Sequence, residues 1–483
     1  MSNIVLFTIT ARYSHSAFGL RWLRANLGKY REQTQIVEFH LKQSPSMIAE
    51  TLIAMRPQIL GAGVYIWNLR EITEVIQIVK RVLPETVVII GGPEVSFDYE
   101  ELEIFKEADY LVRGEGELSL PVLIGALLEG SAPVDRVWSK KVENLDILAL
   151  PYDEYTERDL TNRIIYVESS RGCPFHCEFC LSAIEPGVRF FNREKFLKEM
   201  EKLIARGAKN FTFVDRTFNI NETHALEILE FFLKRVDDSY RLHFEIVPDR
   251  LSRKVLERLK YFPRGVLHLE VGVQSVSPET LKLISRNQDI ARTKEAIEYL
   301  LSETGAEVHA DLVAGMPGET WESFRDGFNF LVRLSPQEIQ LGILKKLRGA
   351  LISRHIEDYK LSFAPFPPYE ILQTNTMTYE ELQKLKRMAR YLELFYNQGN
   401  FPNTIKYLWQ ASVTPFDSLA EFSEFVWSRT GKTHELSLVT QANLLFSYLM
   451  GSGKFSKEEL EQSIRKDYAS KPGRTEKLSL SVQ

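Results

Sequence analysis

Short apolar runs alternate with amphipathic stretches along the first 130 residues of the chain. Five runs are rich in β-branched residues and apolar on both faces, as in parallel strands that helices cover on both sides. They read NIVLFTIT, TQIVEF, ILGAGVYI, TVVIIGG and DYLVRG. Each is followed by a helical pattern. The alternation predicts five βα units in an open, doubly wound sheet, where ligands bind at the carboxyl ends of the strands.

The same rhythm resumes after a less regular stretch rich in acidic residues. Six further strand-like runs read RIIYVESS, NFTFVD, RLHFEIV, VLHLEVGVQ, EVHADLVAG and EIQLGIL. They predict a partial (β/α)6 barrel of the TIM type, with chemistry at the carboxyl ends of its strands. Beyond Ala350 the pattern is helical and rich in aromatic residues. We therefore expect an α/β protein with a Rossmann-like (flavodoxin-like) domain over 1–140, a linker over 141–160, a barrel over 161–350 and a mostly helical domain over 351–483.

Composition excludes several broad classes of protein. The chain has 483 residues and a formal net charge of −5, whereas a general nucleic-acid binder is usually basic. No apolar run approaches 20 residues, so we expect no membrane span. The first residues read as a strand and not as a charged leader. With only three cysteines, all clustered, we expect a cytoplasmic protein without disulfides.

All three cysteines fall in the segment RGCPFHCEFC, as Cys173, Cys177 and Cys180. Three thiolates on one short loop favour zinc or iron–sulfur chemistry. A zinc site with His176 as its fourth ligand is one interpretation, although structural zinc usually takes two separated ligand pairs. A four-iron cluster normally takes four cysteines. With three, one iron keeps an open position, where a substrate or cofactor binds.

The C-x3-C-x2-C spacing after the first strand of a partial barrel resembles the radical S-adenosylmethionine (radical SAM) superfamily. The resemblance implies that Cys173, Cys177 and Cys180 hold a 4Fe-4S cluster. It further implies that the amino and carboxylate groups of SAM chelate the open iron, and that reductive cleavage yields a 5′-deoxyadenosyl radical.

The resemblance also assigns SAM contacts, one for each expected strand segment. Phe179 corresponds to an aromatic residue near the adenine, and NFTFVDRTFN, FEIVPDRL, EVGVQSVSPETLKLISR and DLVAGMPGET resemble later strand segments. The remaining candidates are Asp215, Glu245, Gln274, Ser275, Arg286 and Gly315. Each also has a plainer structural interpretation, such as a solvated acid or arginine, or a glycine in a strand-to-helix turn.

A doubly wound domain in front of such a barrel resembles the cobalamin-binding subgroup of the superfamily. The chain contains neither a G-x-G-x-x-G dinucleotide motif nor the D-x-H-x-x-G cobalamin motif; YSHSAFG comes nearest to the latter. The resemblance implies base-off cobalamin, with Tyr65 or Trp67 near the lower face of the corrin, unless these aromatics simply pack between sheet and helix. The candidate cobalamin contacts are Tyr13, Ser14, His15, Tyr65, Trp67, Asn68, Gly91, Gly92, Pro93, Glu94, Val95, Arg113, Gly114, Glu115 and Gly116.

We therefore expect a cobalamin-dependent radical SAM enzyme that methylates an unactivated carbon through methylcobalamin. One alternative is a rearrangement, cyclisation or oxidation in which cobalamin delivers no methyl group. Another is a cobalamin-binding sensor with a structural cluster. The substrate is open between a small molecule, a lipid, a peptide and an RNA. The resemblance also implies an electron donor such as flavodoxin or ferredoxin.

Overall fold

The computed structural model of the chain describes residues 3–184, 187–471, 474 and 478–480. These residues form two compact units. The first contains the chain up to Phe244 together with residues 346–351 and 365–369. The second contains residues 245–345, 352–364 and the chain from Glu370 onward.

The first unit opens with a fully parallel six-stranded sheet of order β2-β1-β3-β4-β5-β6. Its strands are β1 (Ile4–Thr10), β2 (Thr34–His40), β3 (Ile59–Gly63), β4 (Val87–Gly91), β5 (Tyr110–Arg113) and β6 (Val137–Ser139). Since β1 pairs with both β2 and β3, the chain reverses its direction of travel across the sheet between β1 and β3. In doubly wound sheets that reversal opens a crevice at the carboxyl ends of the strands.

Alternate residues of β1 enter two separate apolar cores, which explains why all seven residues of this strand are buried. Phe7 packs with the helices on one face, and Leu6 packs with those on the other. Full burial of each such side chain stabilises the fold by about 1.5–3 kcal/mol. The helices of this domain are α1 (Phe18–Ala25), α2 (Pro45–Met55), α3 (Leu69–Val82), α4 (Glu103–Glu107) and α5 (Ser119–Leu128).

The remainder of the first unit begins the second parallel sheet and carries the cysteines. Strand β10 pairs in parallel with both β7 and β11, and β8 pairs with β9 as an antiparallel hairpin. The strands are β7 (Ile165–Val167), β8 (Ser170–Cys173), β9 (Gly187–Phe190), β10 (Asn210–Phe213) and β11 (Arg241–Ile246), whose last two residues belong to the second unit. The helices are α6 (Glu157–Asn162), α7 (Arg193–Ala205) and α8 (Glu222–Leu233).

The second unit continues the βα alternation and ends in helices. Strands β12 (Leu267–Gln274), β13 (Glu307–Ala314) and β14 (Glu338–Ile343) pair in parallel, and β15 (Ser362–Phe363) pairs with β16 (Ile371–Gln373) in an antiparallel ribbon. The helices that accompany these strands are α9 (Arg253–Leu259), α10 (Pro278–Leu283), α11 (Ile290–Glu303) and α12 (Trp321–Leu334). The C-terminal helices are α13 (Ile356–Tyr359), α14 (Tyr379–Leu392), α15 (Ile405–Leu408), α16 (Pro415–Thr430), α17 (Leu438–Gly451) and α18 (Lys457–Ala469).

The expected fold class is confirmed, since the chain is α/β with a helical C-terminal part. Aromatic residues such as Phe395 and Phe422 build the apolar core of the C-terminal helices. No helix in the described part of the chain combines the length and apolarity that a bilayer crossing needs.

Candidate active site

Cys173 is the last residue of β8, and Cys177 and Cys180 follow it in the cysteine loop before β9. Gly172 has a φ of +93°, and a Cβ there would lie 2.2 Å from the Gly187 carbonyl oxygen, so the hairpin requires glycine. The Cys180 backbone N–H donates to the Cys177 carbonyl at 3.0 Å and tightens the second half of the loop. All three cysteines are thiols, with Cys177 buried and the other two half-buried.

A buried polar cluster supports the segment that leads into this loop. Asp215 accepts hydrogen bonds from the Ser169 backbone N–H at 2.9 Å and from the Ser169 and Ser170 hydroxyls at 2.6 Å each. His224 Nε2 lies 3.0 Å from the Ser169 hydroxyl. Burial raises the pKa of Asp215, against the opposing effect of these hydrogen bonds, and burial lowers the pKa of His224 to about 4. A neutral His224 therefore donates to Ser169, whose own proton is given to Asp215.

This cluster gives Asp215 a setting that the sequence analysis did not foresee. The resemblance assigns it to the SAM amino group, but both of its oxygens accept hydrogen bonds from within the chain and the residue is 1% exposed. Ser169, Ser170 and His224 were missed. The paired serines directly before Arg171 were the available signal.

A cavity of about 720 Å³ opens at the carboxyl ends of the first sheet, at the reversal between β1 and β3. It is lined by loops of the first sheet, by one face of α1, by the segments around the cysteine loop, and by Val214 and Arg216 after β10. The predicted residues that line it are Tyr65, Gly91, Gly92, Pro93, Gly114, Glu115 and Gly116. The segments around the cysteine loop contribute Glu168, Ser170, Arg171, Gly172, Leu181, Ser182, Ile184, Gly187, Val188 and Arg189.

The aromatic pair after β3 is arranged in two layers. Tyr65 lines the cavity, and Trp67 stacks on it with ring centroids 4.5 Å apart and planes 8° from parallel. Trp67 Nε1 donates to the Ile9 carbonyl at 3.0 Å, which fixes the indole behind the phenol ring. Asn68 is fully buried, and its amide bonds to the Thr8 hydroxyl and the Ile9 carbonyl. Of these residues only Tyr65 lines the cavity; Trp67 and Asn68 hold the loop.

A network of ion pairs joins the loop after β5 to the cysteine hairpin. Arg171 lies 3.3 Å from Glu115, 2.6 Å from Glu117 and 3.0 Å from Glu168. Arg189 lies 2.6 Å from Glu115. Burial acts to raise the pKa of Glu115, but Arg189, the Val142 N–H and Arg171 together lower it. Burial raises the pKa of Glu168 to about 7, although Arg171 opposes the shift.

The predicted contacts after β1 lie outside the lining of this cavity. Tyr13 is 40% exposed and accepts a hydrogen bond from Arg158. The Ser14 carbonyl accepts from the Ile164 N–H. His15 Nδ1 lies 2.5 Å from the Tyr166 hydroxyl. This loop therefore fastens the start of β7, and the residues between β1 and β2 that do line the cavity lie on α1: Phe18, Gly19, Leu20, Trp22 and Leu23.

Three further predicted contacts also lie outside the lining. Glu94 is buried and pairs with Arg348 at 3.0 Å. Val95 belongs to the apolar core of the first sheet. Arg113 donates to the Ser96 carbonyl at 2.7 Å and its guanidinium lies over an aromatic ring.

The second unit holds the SAM candidates beyond Asp215. Glu245 is half-buried and is the first residue of this unit. Gln274 ends β12 at a register shift with a φ of +68°, a rare conformation for a side-chain-bearing residue. A Cβ at Gly272 would meet the Gln274 amide at 2.7 Å and the Arg286 guanidinium at 3.3 Å, so these two side chains converge on the backbone of β12. Ser275 is buried beside them.

The loop after β13 is closed by a carboxylate that the sequence analysis missed. Gly315 has a φ of +87°, and its backbone N–H donates to Glu319 at 2.9 Å. The Met316 N–H donates to the same oxygen at 3.4 Å. Burial raises the pKa of Glu319 to about 8, although these N–H groups act in the opposite sense. The signal was an acid directly after the Pro317–Gly318 turn.

The residues present fit the expected cofactors. Three thiols on one hairpin loop are the donor set of an iron–sulfur centre with one open iron. The cavity's glycines and apolar walls suit a large amphipathic ligand such as cobalamin, and Gly114, at a φ of +63°, has no atom within 4 Å of a Cβ.

Family models match three successive parts of the chain. The B12 binding domain matches residues 4–124, the radical SAM superfamily residues 167–331, and a protein family of unknown function, DUF4080, residues 357–479. The chain is thus a cobalamin-binding radical SAM protein. Its cofactors are a 4Fe-4S cluster, SAM and cobalamin, and its C-terminal part is a DUF4080 domain.

Individual relatives agree with this assignment. An uncharacterized methyltransferase of Pyrococcus horikoshii is 26% identical over 71% of this chain and 80% of its own length. An anaerobic magnesium-protoporphyrin IX monomethyl ester cyclase of Rubrivivax gelatinosus is 24% identical over 59% of this chain, which spans 56% of that enzyme. The solved structure of the radical SAM methyltransferase TsrM from Kitasatospora setae, with cobalamin and a [4Fe-4S] cluster bound, matches with a TM-score of 0.60 at 19% identity over 74% of this chain and 78% of its own, and so shares the fold.

Proposed function

We propose that this enzyme methylates an unactivated carbon of its substrate. The observation that carries the proposal is that one cavity is lined both by the cobalamin-domain loops and by the segments flanking the cysteine loop. A shared cavity lets two reactive cofactors act on one bound molecule without release of an intermediate. The Pyrococcus horikoshii relative, named as a methyltransferase, supports methyl transfer in particular.

The chain's residues hold and separate the reactants. Cys173, Cys177 and Cys180 bind the cluster, and Gly91 and Gly114 allow the backbone to approach cobalamin closely. When bound, the cluster with SAM supplies a 5′-deoxyadenosyl radical, and cobalamin supplies the methyl group. The protein's part is to orient both toward the substrate and to exclude water from the radical.

Tyr65 is the residue that we propose to face the corrin's lower side. Its ring is held rigidly by Trp67, which is fixed in turn by the bond to Ile9. A rigid aromatic ring without a metal-ligating nitrogen would influence the reactivity of a bound cobalamin without coordinating it.

The cyclase relative supports a second candidate, a radical reaction in which no methyl group reaches the substrate. We propose for either reaction an electron donor such as flavodoxin or ferredoxin, because the cluster must be reduced before SAM is cleaved. We also propose a cytoplasmic location, because three clustered cysteines without a disulfide are typical of reducing surroundings.

The two candidates differ in the fate of the SAM methyl group. The reconstituted, cobalamin-loaded protein is given SAM with a deuterated methyl group, a strong reductant and a small-molecule extract. Methyl transfer predicts 5′-deoxyadenosine, labelled cobalamin and a labelled product that is absent with Cys177→Ala. Formation of 5′-deoxyadenosine with no label on cobalamin or on any product would contradict methyl transfer and favour the second candidate.

A further inference from the structure

Six ionisable side chains share one face of three neighbouring strands in the second unit. They are His268 and Glu270 on β12, Glu307, His309 and Asp311 on β13, and Glu338 on β14. His309 is in register with Glu270 on one side and with Glu338 on the other, and residues two apart on a strand share a face. The group occupies the early parts of the strands, away from the strand ends at Gln274 and Gly315.

His309 lies at the centre of this group. Its Nδ1 atom is 3.5 Å from Glu338 Oε2, and its Nε2 atom is 3.1 Å from Asp311 Oδ1. The rings of His268 and His309 are perpendicular, with centroids 5.8 Å apart. One ligating atom from each of His268, His309 and Glu338 lies within 4.8 Å of the other two.

Asp311 provides a second, independent observation. It is 8% exposed, and its Oδ1 atom and His309 Nε2 form no aligned hydrogen bond despite their 3.1 Å separation. A small rotation of the imidazole ring would align the pair. A histidine that ligates a metal through one nitrogen and faces a carboxylate with the other has this arrangement.

We propose that His268, His309 and Glu338 bind one divalent cation of the zinc class, with Asp311 orienting His309. Two imidazoles and one carboxylate are a known ligand set for zinc and for iron(II). Zinc–ligand distances of about 2.1 Å require the three ligating atoms to close in by roughly 1 Å, which side-chain rotation supplies. The side chains are 23%, 13% and 36% exposed, respectively, so a cation can enter from solvent. Bound there, it would tie β12, β13 and β14 together.

The test uses the full-length protein with its cluster reconstituted and cobalamin loaded, and zinc alone as the probe. Zinc is added, the protein is separated from free metal, and zinc and iron are counted per chain. We expect one zinc in addition to the cluster iron. X-ray absorption spectroscopy at the zinc edge should show nitrogen and oxygen ligands at about 2.1 Å, whereas zinc bound to the cysteines would show sulfur ligands at about 2.3 Å.

Variants separate this site from adventitious binding. His309→Ala should lose the zinc, Asp311→Asn should weaken its binding about 10- to 100-fold, and His434→Ala, which removes an exposed histidine elsewhere, should retain it. Glu338→Gln keeps the shape of the side chain, so zinc loss in this variant would not be explained by misfolding, as it could be for the alanine variant. Equal zinc retention by His309→Ala, Glu338→Gln and wild type, or sulfur in the zinc shell, would overturn the proposal.

Discussion

Buried carboxylates at the two candidate loops are held by backbone N–H groups and hydroxyls. Asp215 binds Ser169 and Ser170 ahead of the cysteine loop, and Glu319 closes the loop after β13. Each carboxylate fixes backbone that carries candidate ligands. The two carboxylates therefore position the loops. Substituting either one should alter the loop geometry, and any effect on the reaction should follow from that change.

The Asp215 carboxylate accepts hydrogen bonds from three donors. Asp215→Asn replaces one of its oxygens with an NH2 group, which is a donor and would face these donors. We expect a loss of about 2 kcal/mol in the free energy of unfolding, together with reduced iron per chain. Urea unfolding and iron analysis measure the two effects. Asp135→Asn, at an exposed position, is the control. Unchanged stability and iron with weakened SAM binding would instead indicate direct contact with SAM.

Glu319→Gln should change how stability depends on pH. The pKa of Glu319 in the folded chain, about 8, lies above its ordinary value of 4.5. Between these two values the unfolded chain loses this proton while the folded chain keeps it. The free energy of unfolding therefore falls as the pH rises, and the loss is complete once the pH has passed about 8. Glutamine accepts from Gly315 but cannot ionise. The variant should therefore gain stability relative to wild type between about pH 5 and 8, by at most about 1.4 kcal/mol per pH unit.

Urea unfolding of both proteins across that pH range measures the difference. The exposed Glu295→Gln variant should run parallel to wild type. If the free energy of unfolding of Glu319→Gln also ran parallel to that of wild type, Glu319 would be ionised throughout this pH range.

At the scale of elements, the β8–β9 hairpin determines where the cysteines lie. Its two glycines both have positive φ, +93° at Gly172 and +107° at Gly187, but only Gly172 faces backbone at a forbidden distance. The hairpin is also tied to the first sheet through Arg171 and Arg189. Backbone fit and ion pairing can be tested separately.

Gly172→Ala should disrupt the hairpin, because its Cβ would clash with the Gly187 carbonyl. We expect iron incorporation to fall severalfold, as measured by iron analysis and cluster absorbance. Gly187→Ala is a matched control, since it carries the same backbone strain in open space. Equal iron loss in the two variants would show that strain, and not the close approach, matters.

Arg171→Met should be strongly destabilising, because it leaves Glu117 and Glu168 buried without their cation. We expect a loss of about 3–5 kcal/mol, as when one partner of a buried ion pair is removed. Arg193→Met breaks an exposed pair with Glu227 and should cost at most about 1 kcal/mol. Chemical denaturation of both variants makes the comparison, and similar losses would contradict the structural role of the network.

The secondary-structure elements also show how much of the fold can be predicted from the sequence. The apolar runs at β1 and β13 were predicted because they are long: all seven residues of β1 are buried, and four alternate residues of β13 form one fully buried face. Strand β6 was missed because it has three residues with no apolar run. The loop after β1 was assigned to cobalamin by motif likeness, yet tertiary contacts to Tyr166 and Arg158 hold its tip elsewhere.

For the whole molecule, the order of domains was readable because each has its own periodicity or motif. Ion pairs between segments distant in sequence, such as that of Glu117 with Arg171, could not be predicted, because no local sequence pattern encodes them. We propose that the three cysteines are an incomplete ligand set and that SAM completes the cluster.

Reductive cleavage of SAM tests that claim most directly. The anaerobically reconstituted protein is reduced in the presence of SAM, and 5′-deoxyadenosine and methionine are quantified beside iron and zinc content. We predict a four-iron cluster and formation of 5′-deoxyadenosine, which each of the variants Cys173→Ala, Cys177→Ala and Cys180→Ala should abolish. A protein with zinc in the cysteine loop, or with a reducible cluster that leaves SAM intact, would contradict it.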